Sequence, residues 1–136
     1  MATSTYLSNP TVTVNSVALT GFATAATLER TNTAADTTVF GNTARVYSAT
    51  IEDNSLTVTL FMTYGAAEVY ATLATLVGTA TTVVVKPTSA AVGATNPNFT
   101  LTNTYLETLP VLNATLGEIS SIDITFRGGT YTAAVV

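Results

Sequence analysis

The stretch Ser55-Leu-Thr-Val-Thr-Leu-Phe-Met-Thr63 decides the fold class. Leu56, Val58 and Leu60 recur at every second position against threonine, a period that only a pleated strand with unlike faces can use. Similar alternation runs outward in both directions. Residues 11–19 read as a small hairpin: Val12 and Val14 alternate with Thr, the chain turns at Asn15-Ser16, and it returns through Val17 and Leu19. After Gly21, residues 23–31 form a second strand whose far end carries Glu29 and Arg30. Further along, 81–86 and 98–108 read as strands, and Val83-Val84-Val85 predicts burial on both faces of the first. The last strand, 119–126, sets Ile122, Ile124 and Phe126 on one face and Ser121, Asp123 and Thr125 on the other.

Two segments depart from that period. Between 32 and 54 the pattern weakens to short strands at 37–40 and 45–50, hinged at Gly41-Asn42 and followed by a polar Glu52-Asp53-Asn54 turn. Excursions of this length inside compact domains are usually functional, so 33–54 is expected to be a long projecting loop or hairpin. From 66 to 77, Ala66, Val69, Leu73, Leu76 and Val77 fall on one helical face, with Glu68 in the first turn and Gly78 suited to the left-handed residue past the end. Loops follow at 87–97 and 109–117, and Gly128-Gly129 releases a C-terminal tail, 128–136, whose apolar end is expected to dock on something. The expectation is a mainly β chain: a β-sandwich or partial barrel with one short α-helix, in a single domain over 1–136.

Composition points to assembly. Hydrophobic residues make up 47% of the 136 and charged residues only 9%, where a soluble monomer carries roughly 25% charge. Either a membrane or other copies of the chain must cover such a surface. No apolar run reaches the about 18 residues a spanning helix needs, and six or seven strands fall short of the about eight of a transmembrane barrel. Residues 1–9 are polar and lack the basic and apolar regions of a secretory signal, so synthesis in the cytoplasm is expected.

Catalysis has little to work with. With no His and no Cys, nucleophilic triads and most transition-metal sites are excluded, and no cofactor is expected. Glu52 and Asp53 are adjacent, so on a strand they point to opposite faces rather than at one substrate. No Gly-rich loop precedes a helix, which argues against nucleotide binding. The net charge of −4, with only Arg30, Arg45, Lys86 and Arg127 as cations, cannot form the basic stripe of a nucleic-acid binder. A conduit through which DNA slides should not hold it, and weak repulsion suits that use.

Several stretches together resemble the tail tube proteins, or major tail proteins, of long-tailed bacteriophages. They are Leu28-Glu-Arg-Thr31, Thr37-Thr-Val-Phe-Gly41, Arg45-Val-Tyr47, the strand Ser55-Leu-Thr-Val-Thr-Leu60, the helical segment 66–76 and the strand 81–87. The resemblance covers 12–126 in element order, and the low charge departs from the family. It implies a β-sandwich with one helix that polymerises as stacked hexameric rings around a channel for DNA. On that reading 33–54 reaches the next ring with Thr37, Phe40, Arg45 and Tyr47 as contacts, and the tail engages a neighbour through Tyr131, Val135 and Val136.

The implied function is a structural virion protein, made in the host cytoplasm, that meets copies of itself and other tail proteins at the tube ends. It binds no small molecule, no membrane and no specific DNA site. Two alternatives come from the same β-rich pattern: a capsid decoration or cement protein, and a carbohydrate-binding β-sandwich module that uses exposed tyrosines. Open sheet edges with few charges favour the polymer, since unpaired backbone groups of one copy can complete the ladder of another.

Overall fold

The computed structural model describes residues 10–94 and 96–135. Residues 1–9, read above as a polar start, and Val136 lie outside them. Ten strands and one α-helix follow in chain order: β1 Thr11–Val14, β2 Val17–Ala18, β3 Ala23–Glu29, β4 Asn32–Asp36, β5 Tyr47–Glu52, β6 Ser55–Phe61, α1 Val69–Leu73, β7 Ala80–Lys86, β8 Asn98–Leu106, β9 Ser121–Arg127 and β10 Thr130–Ala134. The main sheet runs β2-β1-β7-β8-β9-β6-β3 with β10 also on β8, and β4 and β5 form a separate two-stranded sheet. All pairings are antiparallel. Among the described residues the main sheet does not close into a barrel, because β3 and β2 are left as its ends.

The alternating residues become the core. Leu56, Val58 and Leu60 of β6 and Ile122, Ile124 and Phe126 of β9 are buried together with Val12, Val14, Val83 and Leu101 from the other half of the sheet. The sheet therefore folds over on itself as a sandwich, with inward residues of both layers sharing one interior. The turn at Asn15-Ser16 has φ of 48° and 66° and links Val14 directly to Val17, the two-residue geometry that positive φ at both central positions provides.

The corner where the sheet folds over is built by a bulge facing two glycines. In β8 the buried positions shift from Leu101 to Thr104 across Asn103, whose φ is +63°, and the register against β7 slips between Thr81 and Val83. Such an extra residue bends a strand and strengthens its twist. Opposite it lie Gly128 and Gly129, with φ of +74° and +90°.

The tail expected to leave the subunit does not leave at this point. Tyr105 pairs with Arg127 and Thr102 with Thr130, so β10 continues the β9 ladder in unbroken register across the glycines. Gly-Gly marks a kink in one long strand, and residues 130–134 pair on one side with β8 of the same chain.

A matching kink lies in the neighbouring ribbon. Glu29 pairs with Ser55 and Asn32 with Glu52, so β4 and β5 continue the β3–β6 ladder in the same register past residues 30–31 and 53–54. The short strands expected at 37–40 and 45–50 are displaced toward the sandwich, and 37–46 is the tip between them. Asn54, read above as part of a solvated turn, is fully buried. Its carbonyl accepts from the Gly128 amide at 2.7 Å, and its Nδ2 donates to the Gly129 carbonyl at 3.1 Å. One residue thus ties both kinks together.

The helix is shorter than the 66–77 expected, because Ala67 adopts φ of +59° and leaves the helical path. The preceding turn is held by the Gly65 amide donating to Glu68 Oε2 at 2.9 Å and the Val69 amide donating to Thr63 Oγ1 at 3.3 Å. Val69, Leu73 and Leu76 are buried as the periodicity predicts, while Val77 is exposed. Gly78, at φ +80°, donates its amide to the Leu106 carbonyl at 2.9 Å.

A Cβ at Gly129 would stand 2.7 Å from the Thr102 carbonyl oxygen and 3.0 Å from the Thr104 nitrogen, both backbone atoms that cannot swing aside. Gly129→Ala is therefore expected to destabilise the fold by roughly 2 kcal/mol or more. Asn54→Ala, which strips one hydrogen bond from the same kink, should cost roughly 1–3 kcal/mol. Denaturant unfolding checks both, and midpoints equal to that of the parent chain would show that the kinks hold without these residues.

Candidate functional site

The β4–β5 hairpin is the surface that stands apart. No residue from 31 to 53 is buried. Its strand sequence Asn-Thr-Ala-Ala-Asp has no inward face to alternate with, and two strands without a hydrophobic face are marginal in water. Polar side chains stabilise it instead. The Thr38 amide donates to Asp36 Oδ1 at 2.9 Å, the Val46 amide to Thr38 Oγ1 at 2.9 Å, and Thr50 Oγ1 to the Thr33 carbonyl at 2.6 Å. Threonine and asparagine supply hydrogen bonds here where core packing is missing.

Thr37, Phe40, Arg45 and Tyr47 all fall in the outer half of this hairpin. Thr37 follows β4 and donates its amide to the Val46 carbonyl at 2.9 Å. The tip is a β-turn in which the Asn42 amide donates to the Val39 carbonyl at 3.3 Å and Gly41 takes φ of +94°, the positive φ a type II turn needs at its third position. Asn42 Oδ1 returns the bond by accepting from the Val39 amide at 2.9 Å. Phe40 sits on this turn with its ring wholly in solvent. Arg45 reaches Asp36 Oδ2 at 2.7 Å, and Tyr47, opposite Asp36 in the ladder, is exposed. Asp36, Thr38, Val39, Phe40 and Arg45 line an open cleft of about 590 Å³.

Tyr131 lies elsewhere. It is half-buried in β10, stacked on Phe99 with ring centroids 6.1 Å apart, and the Arg30 guanidinium lies 4.9 Å from its ring centre. Arg30 also bonds Glu52 at 2.9 Å, so Tyr131 supports the base of the hairpin from within the same chain. Val135 is exposed just past the end of β10. The tail expected to dock on a neighbour is, over residues 130–134, a strand paired with β8 of its own chain, a continuing ladder that the reading of Gly128-Gly129 as a release point missed.

A second exposed apolar surface was not anticipated. In the segment between β8 and β9, Val111, Leu112, Leu116 and Ile119 are all exposed. Leu112, Leu116 and Ile119 fall at i, i+4 and i+7, the spacing of a helical face, yet no helix forms between β8 and β9, and Ile119, expected to open the last strand, lies ahead of β9.

The two carboxylates of the hairpin both titrate low. Hydrogen bonds from the Thr38 hydroxyl and amide, and then from Arg45, hold Asp36 below its ordinary value. The Arg30 guanidinium, followed by the Asn54 side chain, does the same to Glu52. Depressed carboxylates bind fewer protons folded than unfolded, so their stabilising effect is complete at neutral pH and is lost as pH falls through the folded values. Hairpin order should therefore persist at pH 7 and fade below about pH 4, read from the chemical shifts of the tip amides. Asp36→Asn should remove part of that dependence, and tip shifts unchanged at pH 3 would overturn the assignment.

No family model matches the sequence, and no curated protein matches it. The fold, however, is shared with chains from contractile injection machinery. The chain superposes with a TM-score of 0.70 at 13% identity, covering 98% of both chains, on one in "Cryo-EM Structure of an Extracellular Contractile Injection System, PVC sheath/tube terminator in extended state". In the sheath-tube complex of the same kind of system, also extended, the values are 0.65 and 12%, covering 98% of this chain and 93% of the other. In the 6-fold symmetrised baseplate of the anti-feeding prophage they are 0.61 and 13%, covering 98% and 97%. At such identities the likeness establishes a common fold.

Proposed function

We propose that this chain is a non-catalytic structural subunit of a virion tail or tail-like particle, and specifically the tube subunit, polymerising as stacked rings around a channel. The observation that carries the proposal is the hairpin: an isolated globule gains nothing from a ribbon with no buried residue and a fully solvated Phe40 at its tip. The fold likeness supports it, since it extends over 98% of this chain and 98% of a chain from a contractile injection system. The tube is the part common to the sheath/tube terminator and the sheath-tube complex whose chains share this fold. The 6-fold symmetry of the baseplate supports six subunits per ring. Within a ring, the unpaired edges of β3 and β10 offer ladders for neighbouring copies.

The proposal extends to the channel wall. Thr27, Thr57 and Thr125 lie side by side across β3, β6 and β9 on the exposed face, and Thr59 Oγ1 donates to Asp123 Oδ1 at 2.6 Å. A hydroxyl-rich wall hydrates a lumen without fixed cations. Arg30, Arg45 and Arg127 are each already beside a carboxylate, at 2.9, 2.7 and 3.6 Å. DNA would pass such a surface without being held.

A second reading is the terminator itself, favoured by the likeness, at a TM-score of 0.70, to a chain in the sheath/tube terminator structure. Electron microscopy of the concentrated protein separates the two: open-ended hollow filaments are expected for a tube subunit, single closed rings for a terminator. Replacing residues 37–46 by an Asn-Gly turn, which joins paired Asp36 and Tyr47 directly, should leave a folded subunit that no longer elongates. Normal filaments from that variant would refute the hairpin's role, and a monomer at every concentration would refute the polymer.

A further inference from the structure

We infer that the receptor for the hairpin tip is the apolar segment 107–120 of a second copy of this chain. The inference rests on the polymer reading and names the surface through which one ring meets the next.

Two exposed apolar groups lie at opposite ends of one strand pair. β6 and β9 pair from Ser55 opposite Arg127 to Phe61 opposite Ser121, a span of about 20 Å at the usual rise per residue. The hairpin continues from the Ser55 end. The segment 107–120 leaves β8 beside Arg127 and runs to the Phe61 end, where its apolar part is fastened: Tyr64 Oη donates to the Val111 carbonyl at 2.8 Å, and Asn113 Nδ2 donates to the Ser121 carbonyl at 2.6 Å. Ser120 Oγ donates to the Asn113 carbonyl as well. Held by these bonds, the segment still turns Leu112 (71% exposed) and Leu116 (103%) into solvent. A backbone fixed in place before its partner arrives loses little entropy on docking.

Charge and shape also match. Arg45, the only charged residue in 37–46, lies beside Asp36 but keeps its side chain 71% exposed, and Glu107 and Glu118 are the only charged residues in 107–120. Glu107 stands 3.6 Å from Arg127, while Glu118 has no ion-pair partner among the described residues. The cleft beside Phe40 and Arg45 is open and large enough for a leucine side chain, and Leu116 is a projecting one. Because the two surfaces differ and lie at opposite poles, their contact is head-to-tail. Repeating it builds an open column, whereas a tip-to-tip contact would stop at a pair.

The test disables each half of the joint in the full chain. One variant carries the Asn-Gly turn in place of 37–46, and the other carries Leu112→Glu with Leu116→Glu. Both changes fall on exposed residues, so circular dichroism and thermal unfolding should match the parent. Each variant alone is expected to lose elongation by at least about tenfold in sedimentation assays. Their equimolar mixture, in which one intact joint per pair survives, should give short complexes that do not grow. A mixture that forms no larger complex overturns the inference. Filaments of normal length from the double-leucine variant, while the tip replacement blocks growth, overturn it too and leave the polymer reading standing. Failure of the parent chain to elongate would sink that reading instead. Should the double-leucine variant misfold, Glu118→Arg serves: slower elongation, partly recovered by added salt, supports the joint, and unchanged elongation overturns it.

Discussion

The Asn54 carbonyl accepts from the Gly128 amide at 2.7 Å while its side-chain amide donates to the Gly129 carbonyl at 3.1 Å and to Glu52 Oε2 at 3.4 Å, all from a fully buried residue. Each bond alone contributes about 1 kcal/mol net, but a buried carbonyl left without a donor costs more than that. Two strands that change direction side by side expose backbone groups at the same level. A single asparagine can satisfy both because it brings a backbone acceptor and two side-chain donors to one point. Its own Oδ1 is buried without a partner, so the kink is held at some local cost.

The polarity of the subunit follows from this junction. On one side of it the β9–β10 strand bends with the bulge at Asn103 and stays in the sandwich. On the other side the β3–β6 ribbon passes the junction in register and becomes the hairpin. Glu52, bonded to Asn54, also pairs with Arg30, which lies over Tyr131 of β10. The base of the hairpin is therefore cross-braced to the strand that did not leave. This bracing aims the hairpin even though no core residue lies within it.

What was legible in the sequence was whatever has one buried face. Leu56 to Leu60, Ile122 to Phe126, and Val69 with Leu73 announce their faces by period, and the structure buries them as expected. The hairpin strands carry no such period because neither face meets the core, so their bounds were misplaced while Gly41-Asn42 still marked the tip. Gly128-Gly129 was ambiguous in principle. A chain end and a kink ask for the same conformational freedom, and only the distant Thr102 and Thr104 backbone, too close for a Cβ, separates the two. Asn54 was missed for a similar reason: an asparagine after two carboxylates reads as solvated until its partners, 74 and 75 residues on along the chain, are brought to it.

The weakness of the hairpin is consistent with its use. Burying one phenylalanine side chain stabilises a contact by about 1.5–3 kcal/mol, far less than association of two free molecules costs. A lone subunit would therefore dock and release quickly. In the proposed ring several tips would engage together, and each joint after the first would form at high effective concentration. A surface with few charges suits this arrangement, because weak contacts multiplied by symmetry need little desolvation of ions at each one. On the proposed head-to-tail arrangement, subunits would stay separate until a ring exists to receive them, and would then add in one direction from it.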